Sequence, residues 1–212
     1  MTQMQTWKIS LVTGVLMAGA VASFAAQDGQ PRQSLDVGDT APCWGGLEAT
    51  DGKQYKLADF DAPVLVVVFA CHHCPTVQAY EDRIIQLQAD YEDKGVQVVM
   101  INPNNIYPLN RMKDRVEEKG YNFPYLIDAS HESGHVYGAT NTPHFFVLDA
   151  ERTVRYMGSL DDHTHAQHAR THHVRDAIDA LQAGEEPPVA KTHAVGCTVK
   201  YASSAVYRKQ HQ

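Results

Sequence analysis

The sequence predicts an α/β fold: a central mixed β-sheet flanked by helices, with an N-terminal β-hairpin extension and an irregular C-terminal tail. Three observations carry this. Val64 to Phe69 is an unbroken apolar run rich in β-branched residues, and Val96 to Ile101 nearly so; both have the pattern of strands buried on two faces of a parallel sheet. Between them Val77, Tyr80, Ile84, Leu87 and Tyr91 recur at helical spacing, so strand and helix alternate. The chain has 212 residues, 43% hydrophobic and 20% charged, which suits one globular domain with a full core.

Residues 1–25 have the plan of a secretory signal peptide. Lys8 supplies the positive end, Ile9 to Ala22 the apolar stretch, and Ser23-Phe24-Ala25 a small-x-small cleavage site. Cleavage after Ala25 places the protein in the periplasm or outside the cell; an uncleaved segment would make the membrane a partner. No cysteine lies beside the cleavage site, so a lipid anchor is not supported. Export puts Cys43, Cys71, Cys74 and Cys197 where disulfides persist. Residues 26–36, rich in Gln, Asp, Gly and Pro, read as a flexible lead-in.

The domain is expected over residues 37–184. Asp51-Gly52-Lys53 turns a β-hairpin, and Val64 to Phe69 is the first buried strand. Pro75 opens a long helix that Gly95 stops. A strand over Val96 to Ile101, a loop over Asn102 to Asn105 and a helix from Leu109 to Lys119, stopped by Gly120, follow. Pro124 to Ile127 reads as a short strand and Ser130 to Tyr137 as a short helix ended by Gly138. After Thr142-Pro143, strands His144 to Leu148 and Thr153 to Met157 form a second hairpin. A last helix is expected from near Ala166 to Ala183, with Val174, Ile178 and Leu181 inward and Gly184 its stop. Residues 185–212, starting at Glu185-Glu186-Pro187-Pro188, form an irregular tail carrying Cys197.

Chemistry concentrates at Cys71-His72-His73-Cys74-Pro75, where the first buried strand meets the first helix. Two thiols at this spacing close a small disulfide ring, and a helix N-terminus stabilises the thiolate, the form of sulfur that attacks. A protonated imidazole beside a thiol lowers the cysteine pKa further. A structural disulfide or half of a zinc site would use the same spacing. A net charge of −7 without clustered Lys and Arg excludes a nucleic-acid partner.

Gly38-Asp39-Thr40-Ala41-Pro42, Asp51-Gly52-Lys53, Cys71-His72-His73-Cys74-Pro75 and Asn141-Thr142-Pro143 before Phe145-Phe146-Val147-Leu148-Asp149 together resemble the thioredoxin fold. Within it the chain resembles the redoxin branch: exported TlpA-like thiol-disulfide proteins and the AhpC/TSA group, over Val37 to Ala183. Gly196-Cys197-Thr198-Val199-Lys200 resembles the ending of one subgroup of these proteins. The resemblance implies that Pro143 is cis and faces the redox pair, leaving the Thr142 backbone free to pair with an extended substrate. It departs from thioredoxins in having Ala70 before the first cysteine and His72-His73 between the pair. The histidine before Cys74 resembles DsbA-type oxidases, so the direction of electron flow stays open. The buried strand also lacks the acidic residue that thioredoxins keep near the second cysteine, leaving His73 or water to deprotonate Cys74.

These features imply a thiol-disulfide oxidoreductase without a cofactor, with catalytic Cys71, Cys74, His72 and His73 and a substrate edge at Thr142 and Pro143. Its partners would be protein thiols or disulfides and an electron donor or acceptor. Cys71, nearer solvent at the strand-helix junction, is expected to attack and Cys74 to resolve. Two other functions stand beside it. Cys74-Pro75-Thr76 resembles the peroxide-reactive start of some peroxiredoxins, with Cys71 or Cys197 resolving. However, Val67 and Cys71 occupy the positions of the proline and threonine in the peroxiredoxin pattern, so the peroxide-orienting hydroxyl is missing. Cys71 and Cys74 with a histidine would also suit Cu(I), as in Sco-like copper carriers, which have a longer spacing.

A second histidine cluster comprises His163, His165, His168, His172 and His173. His168 and His172, four apart on the expected last helix, would share a face and form a candidate metal pair; a solvated helix start is the plainer reading. Asp161 and Asp162 would cap that helix. Cys43 and Cys197 have three readings: a bond between them that ties down the tail, exchange of Cys197 with the central pair, or Cys43 as a small buried apolar side chain. Trp44, Tyr80, Tyr91, Phe145 and Phe146 are assigned to the core.

Overall fold

The Val64–Phe69 run occupies the middle of the molecule because every one of its side chains has somewhere apolar to go. In the computed structural model, which describes residues 35–104 and 108–201, alternate residues of this strand enter two separate cores. Val64, Val66 and Val68 pack with Val77, Tyr80, Ile84, Val174 and Ile178 on one face. Leu65, Val67 and Phe69 pack with Trp44, Phe60, Tyr137 and Phe146 on the other. Full burial of such a side chain is worth about 1.5–3 kcal/mol, so this strand anchors both layers.

The strands are β1 (Leu47–Ala49), β2 (Gln54–Tyr55), β3 (Val64–Phe69), β4 (Val96–Asn102), β5 (Tyr125–Ile127), β6 (Asn141–Thr142), β7 (His144–Leu148), β8 (Val154–Gly158) and β9 (Cys197–Thr198). The helices are α1 (Pro75–Tyr91), α2 (Leu109–Lys119), α3 (Glu132–Tyr137) and α4 (His173–Ala183). Seven strands form one sheet in the order β2-β1-β5-β4-β3-β7-β8. β3, β4 and β5 are parallel, while the hairpin strand β1 joins β5, and β7 joins β3, in antiparallel fashion. This is the mixed sheet expected, with the N-terminal hairpin extending one edge.

Local signals set most boundaries. Pro75 stands at the first helical position of α1, where a missing N–H costs nothing. Beyond α1 a short 3-10 turn, Glu92–Lys94, ends at Gly95 with φ +74°, and α2 ends at Gly120 with φ +68°. The Thr142-Pro143 peptide is cis.

The last helix differs from expectation. A 3-10 turn over Ala166–His168 is separated from α4 by extended backbone at Ala169, so His168 and His172 do not share a helix face. Asp162 explains the break: its side chain accepts the Arg170 N–H at 2.8 Å and its own N–H donates to the Thr171 carbonyl at 3.1 Å. Asp161 does not cap the helix either, being buried against the Arg83 guanidinium. The signal peptide expected over 1–25, most of the 26–36 lead-in and Asn105 lie outside the described residues. Among the described residues no helix is long and apolar enough to cross a membrane.

The tail is not irregular throughout. It returns along β8, where Met157 N–H donates to the Ala190 carbonyl and the Thr192 N–H to the Met157 carbonyl, both at 3.0 Å. It then pairs through β9 with β6, antiparallel, Thr142 opposite Cys197 and Asn141 opposite Thr198.

Candidate active site

The parallel register that sets Phe69 beside Ile101 carries the chain out of the sheet at Ala70, whose N–H still donates to the Ile101 carbonyl at 2.9 Å. A turn follows, closed by the Cys74 N–H to the Cys71 carbonyl at 2.9 Å, and Cys74 becomes the N-cap of α1. The turn is held from beneath by Tyr125 of β5. Its hydroxyl accepts the His72 N–H at 3.2 Å and donates to the Ala70 carbonyl at 3.3 Å. Cys71 and Cys74 thus meet in one cleft with Asn104, Thr142, Cys197 and Lys200. All four cysteines are free thiols.

The two thiols of the turn have different electrostatics. Burial pushes the Cys71 thiol above the usual cysteine range, only partly offset by hydrogen bonds from the His73 N–H and the Asn104 side chain. Burial acts the same way on Cys74, but there donors prevail and hold its pKa below the usual range. They are the Cys197 thiol, the Val77 N–H in the first turn of α1, the Cys197 N–H and the Thr142 side chain. The Thr142 carbonyl, to which the neutral Cys74 thiol donates at 3.2 Å, is the opposing acceptor and is outnumbered. Cys197 is pushed up to about 11 by burial and by the neighbouring Cys74. The premise that Cys71 is nearer solvent does not hold, since both residues are only 4% exposed. The sulfur more readily ionised is Cys74.

The histidines do not supply the charge expected of them. His72 is buried against Tyr125, and burial, then His73 and Arg115, lower its pKa to about 4. His73 is lowered by burial and by Arg111 and Arg115 of α2. Both rings are therefore neutral near pH 7, and the thiolate at Cys74 is supported by N–H and S–H donors in their place.

Arg115 is fixed by Glu81 of α1, a carboxylate with no exposure. It receives Arg115 Nε at 3.0 Å, Arg115 Nη2 at 2.5 Å and the Tyr121 hydroxyl at 2.5 Å.

Of the other expected site residues, Pro143 follows a cis peptide and Thr142 faces Cys74, but the Thr142 backbone expected to be free is paired with Cys197 of the tail. Cys43 is exposed, in a separate cleft beside Trp44 and Asp128, so it is neither a buried apolar side chain nor a neighbour of Cys197. His163, His165 and His168 rings lie 5.1–6.5 Å apart, but among the described residues no group of three or more His, Cys, Asp or Glu side chains is arranged to hold a metal. Asn104 and Tyr125 were missed by sequence reasoning. Asn104 contacts the Cys71 sulfur with its side chain, and its Oδ1 accepts the Lys200 N–H of the tail at 3.0 Å.

Comparison with known proteins bears on the fold and the family. No match was found among curated proteins. Among solved structures, a hypothetical protein of Sinorhizobium meliloti 1021 is 32% identical, covering 81% of this chain and 98% of its own, with a TM-score of 0.75. An uncharacterised conserved protein of Geobacillus kaustophilus is 34% identical over 80% of this chain and 94% of its own, also at 0.75. A Chlorobium tepidum protein, named as a candidate thiol:disulfide interchange protein DsbE, is 27% identical over 58% of this chain and 85% of its own, at 0.53. The fold is thioredoxin-like. The redoxin family profile matches residues 36–174, from just before the hairpin to the start of α4, and the chain belongs to that family.

Proposed function

We propose that this protein is an exported thiol-disulfide oxidoreductase that exchanges disulfides with protein substrates through Cys71 and Cys74. Family membership supports a redox enzyme, of the thiol-disulfide oxidoreductase or peroxidase kind. One observation carries the finer reading: a favoured thiolate, Cys74, faces a strand edge at Thr142, with a second thiol three residues earlier in the same turn. Attack by Cys74 on a substrate disulfide gives a mixed disulfide and a departing thiolate, and further thiol exchange releases the second substrate thiol and ends in a Cys71–Cys74 disulfide. This reverses the order expected from sequence, because the donors around Cys74 favour its anion. The decisive assay is reduction of a protein disulfide by dithiol-recycled enzyme. Cys74→Ser abolishes turnover and Cys71→Ser stops it with Cys74 held in a disulfide; undiminished turnover in both variants overturns the proposal. Export is tested by N-terminal sequencing of the mature protein, with Ala26 expected first.

Peroxide reduction is the second reading, favoured by the same Cys74 thiolate followed by Pro75 and Thr76 at the helix start. Stoichiometric loss of the Cys74 thiol to hydrogen peroxide, faster than that of the other thiols, would support it.

A further inference from the structure

The tail occupies the edge that the proposed function needs for substrate. Thr142 is paired in antiparallel register with Cys197, and the contact extends on both sides: Asn141 Nδ2 donates to the Gly196 carbonyl at 3.0 Å and the Val199 N–H to the Thr140 carbonyl at 2.9 Å. The approach is close enough to demand glycine, since a Cβ on Gly196 would lie 2.0 Å from the Thr142 carbonyl oxygen. Past the strand, Tyr201 stacks on His135 at 4.0 Å and its hydroxyl donates to the Ala139 carbonyl at 2.5 Å. This is an extended peptide paired with the short strand β6, with a thiol carried to the cleft of the reactive sulfur. Cys197 lines the same cleft as Cys71 and Cys74, beside the Thr142 carbonyl that the Cys74 thiol faces.

We propose that residues 196–200 are a built-in substrate strand and that Cys197 forms a reversible disulfide with Cys74 during turnover. This deepens the oxidoreductase reading and rests on it. The Cys74 thiolate attacks a substrate disulfide R–S–S–R, breaking its S–S bond and forming Cys74–S–S–R, while RS⁻ leaves and takes a proton from solvent. The tail, displaced by the substrate strand, returns and delivers Cys197. Cys197 gives up its proton and attacks the Cys74 sulfur; the bond to R breaks, and the second RS⁻ takes that proton. The products are two RSH and a Cys74–Cys197 disulfide, so two electrons have passed from the protein to the substrate. Attack by the Cys71 thiol on the Cys74 sulfur then moves the bond to Cys71–Cys74 and returns the proton to Cys197.

The test uses the full-length chain carrying Cys43→Ser and Cys71→Ser, which leaves Cys74 and Cys197 as its only thiols. One equivalent of oxidised glutathione is added, and peptides are mapped without reduction. The expected result is an intramolecular Cys74–Cys197 link with both thiols consumed. Adding Cys197→Ser is expected to leave a stable Cys74–glutathione adduct. Gly196→Val, which drives the strand off Thr142, is expected to cut the yield of the link at least tenfold while Cys74 still takes up glutathione. An adduct on Cys74 beside a free Cys197 overturns the role of the tail and leaves the oxidoreductase reading standing. Unchanged linkage in Gly196→Val overturns the strand-docking part. Failure of Cys74 to react in every variant overturns both.

Discussion

Arg115→Met exposes how α2 is tied to α1. Glu81 has no exposure and takes two hydrogen bonds from Arg115 and one from the Tyr121 hydroxyl. The substitution removes the two charge-assisted bonds, each worth about 1.5–3 kcal/mol, and leaves the carboxylate with one neutral donor. That sum agrees with the roughly 3–5 kcal/mol measured when one partner of a buried ion pair is removed. At about 2–4 °C per kcal/mol for a domain of this size, the melting temperature should fall by on the order of 10 °C. The double variant Arg115→Met with Glu81→Gln removes the stranded charge and should recover part of the loss. Urea denaturation of the four proteins of this cycle gives the numbers, and proton NMR of the same samples reads the histidines. With the Arg115 charge gone, His72 and His73 should both titrate at higher pH than in the parent. A loss below about 1 kcal/mol, or an Arg115→Met variant no less stable than the double variant, would refute the reasoning.

Two further outcomes follow from the ionisation of the site and of the core. In the reduced protein, iodoacetamide should modify Cys74 before Cys71 and continue to do so at pH values where Cys71 no longer reacts, because the Cys74 thiolate survives to lower pH; peptide mass spectrometry showing Cys71 modified first contradicts this. His144 and His72 are both lowered to about 4, His144 by burial and then by the Lys191 charge, so each favours the native state only while neutral. Their contribution is fully present above the unfolded value near 6.5 and is lost as pH falls towards about 4. Urea midpoints should drop across that window, less steeply in His144→Phe, and parallel profiles for parent and variant would count against the assignment.

Much of the fold was legible because its signals are local. A two-faced apolar run, a proline at a helix start and glycines at Gly95, Gly120 and Gly138 mark elements without help from distant residues. The break before α4 was hidden because it depends on one aspartate competing for the backbone of Arg170 and Thr171, a contest that apolar periodicity does not register. At the site, the two thiols and Thr142-Pro143 were readable from spacing and resemblance. The charge state of the histidines was not, since it is set by burial and by Arg111 and Arg115, about 40 residues away in sequence and adjacent only after α2 packs beside the turn. The docking of β9 was likewise invisible. A two-residue strand has no period, and its partner lies 55 residues upstream.

The return of the tail along β8 also bears on how the molecule keeps to itself. β8 is the last strand of the seven-stranded sheet, and such a border invites another chain to add to it. Here Met157 has both backbone groups engaged by Ala190 and Thr192, and the Thr192 hydroxyl accepts the Ser159 N–H at 3.0 Å just beyond the strand. The opposite border, β2, is only two residues long and offers little template. The segment that brings a thiol to Cys74 therefore also blunts the sheet, so that shortening the chain before Ala190 would uncover a sticky margin and favour self-association.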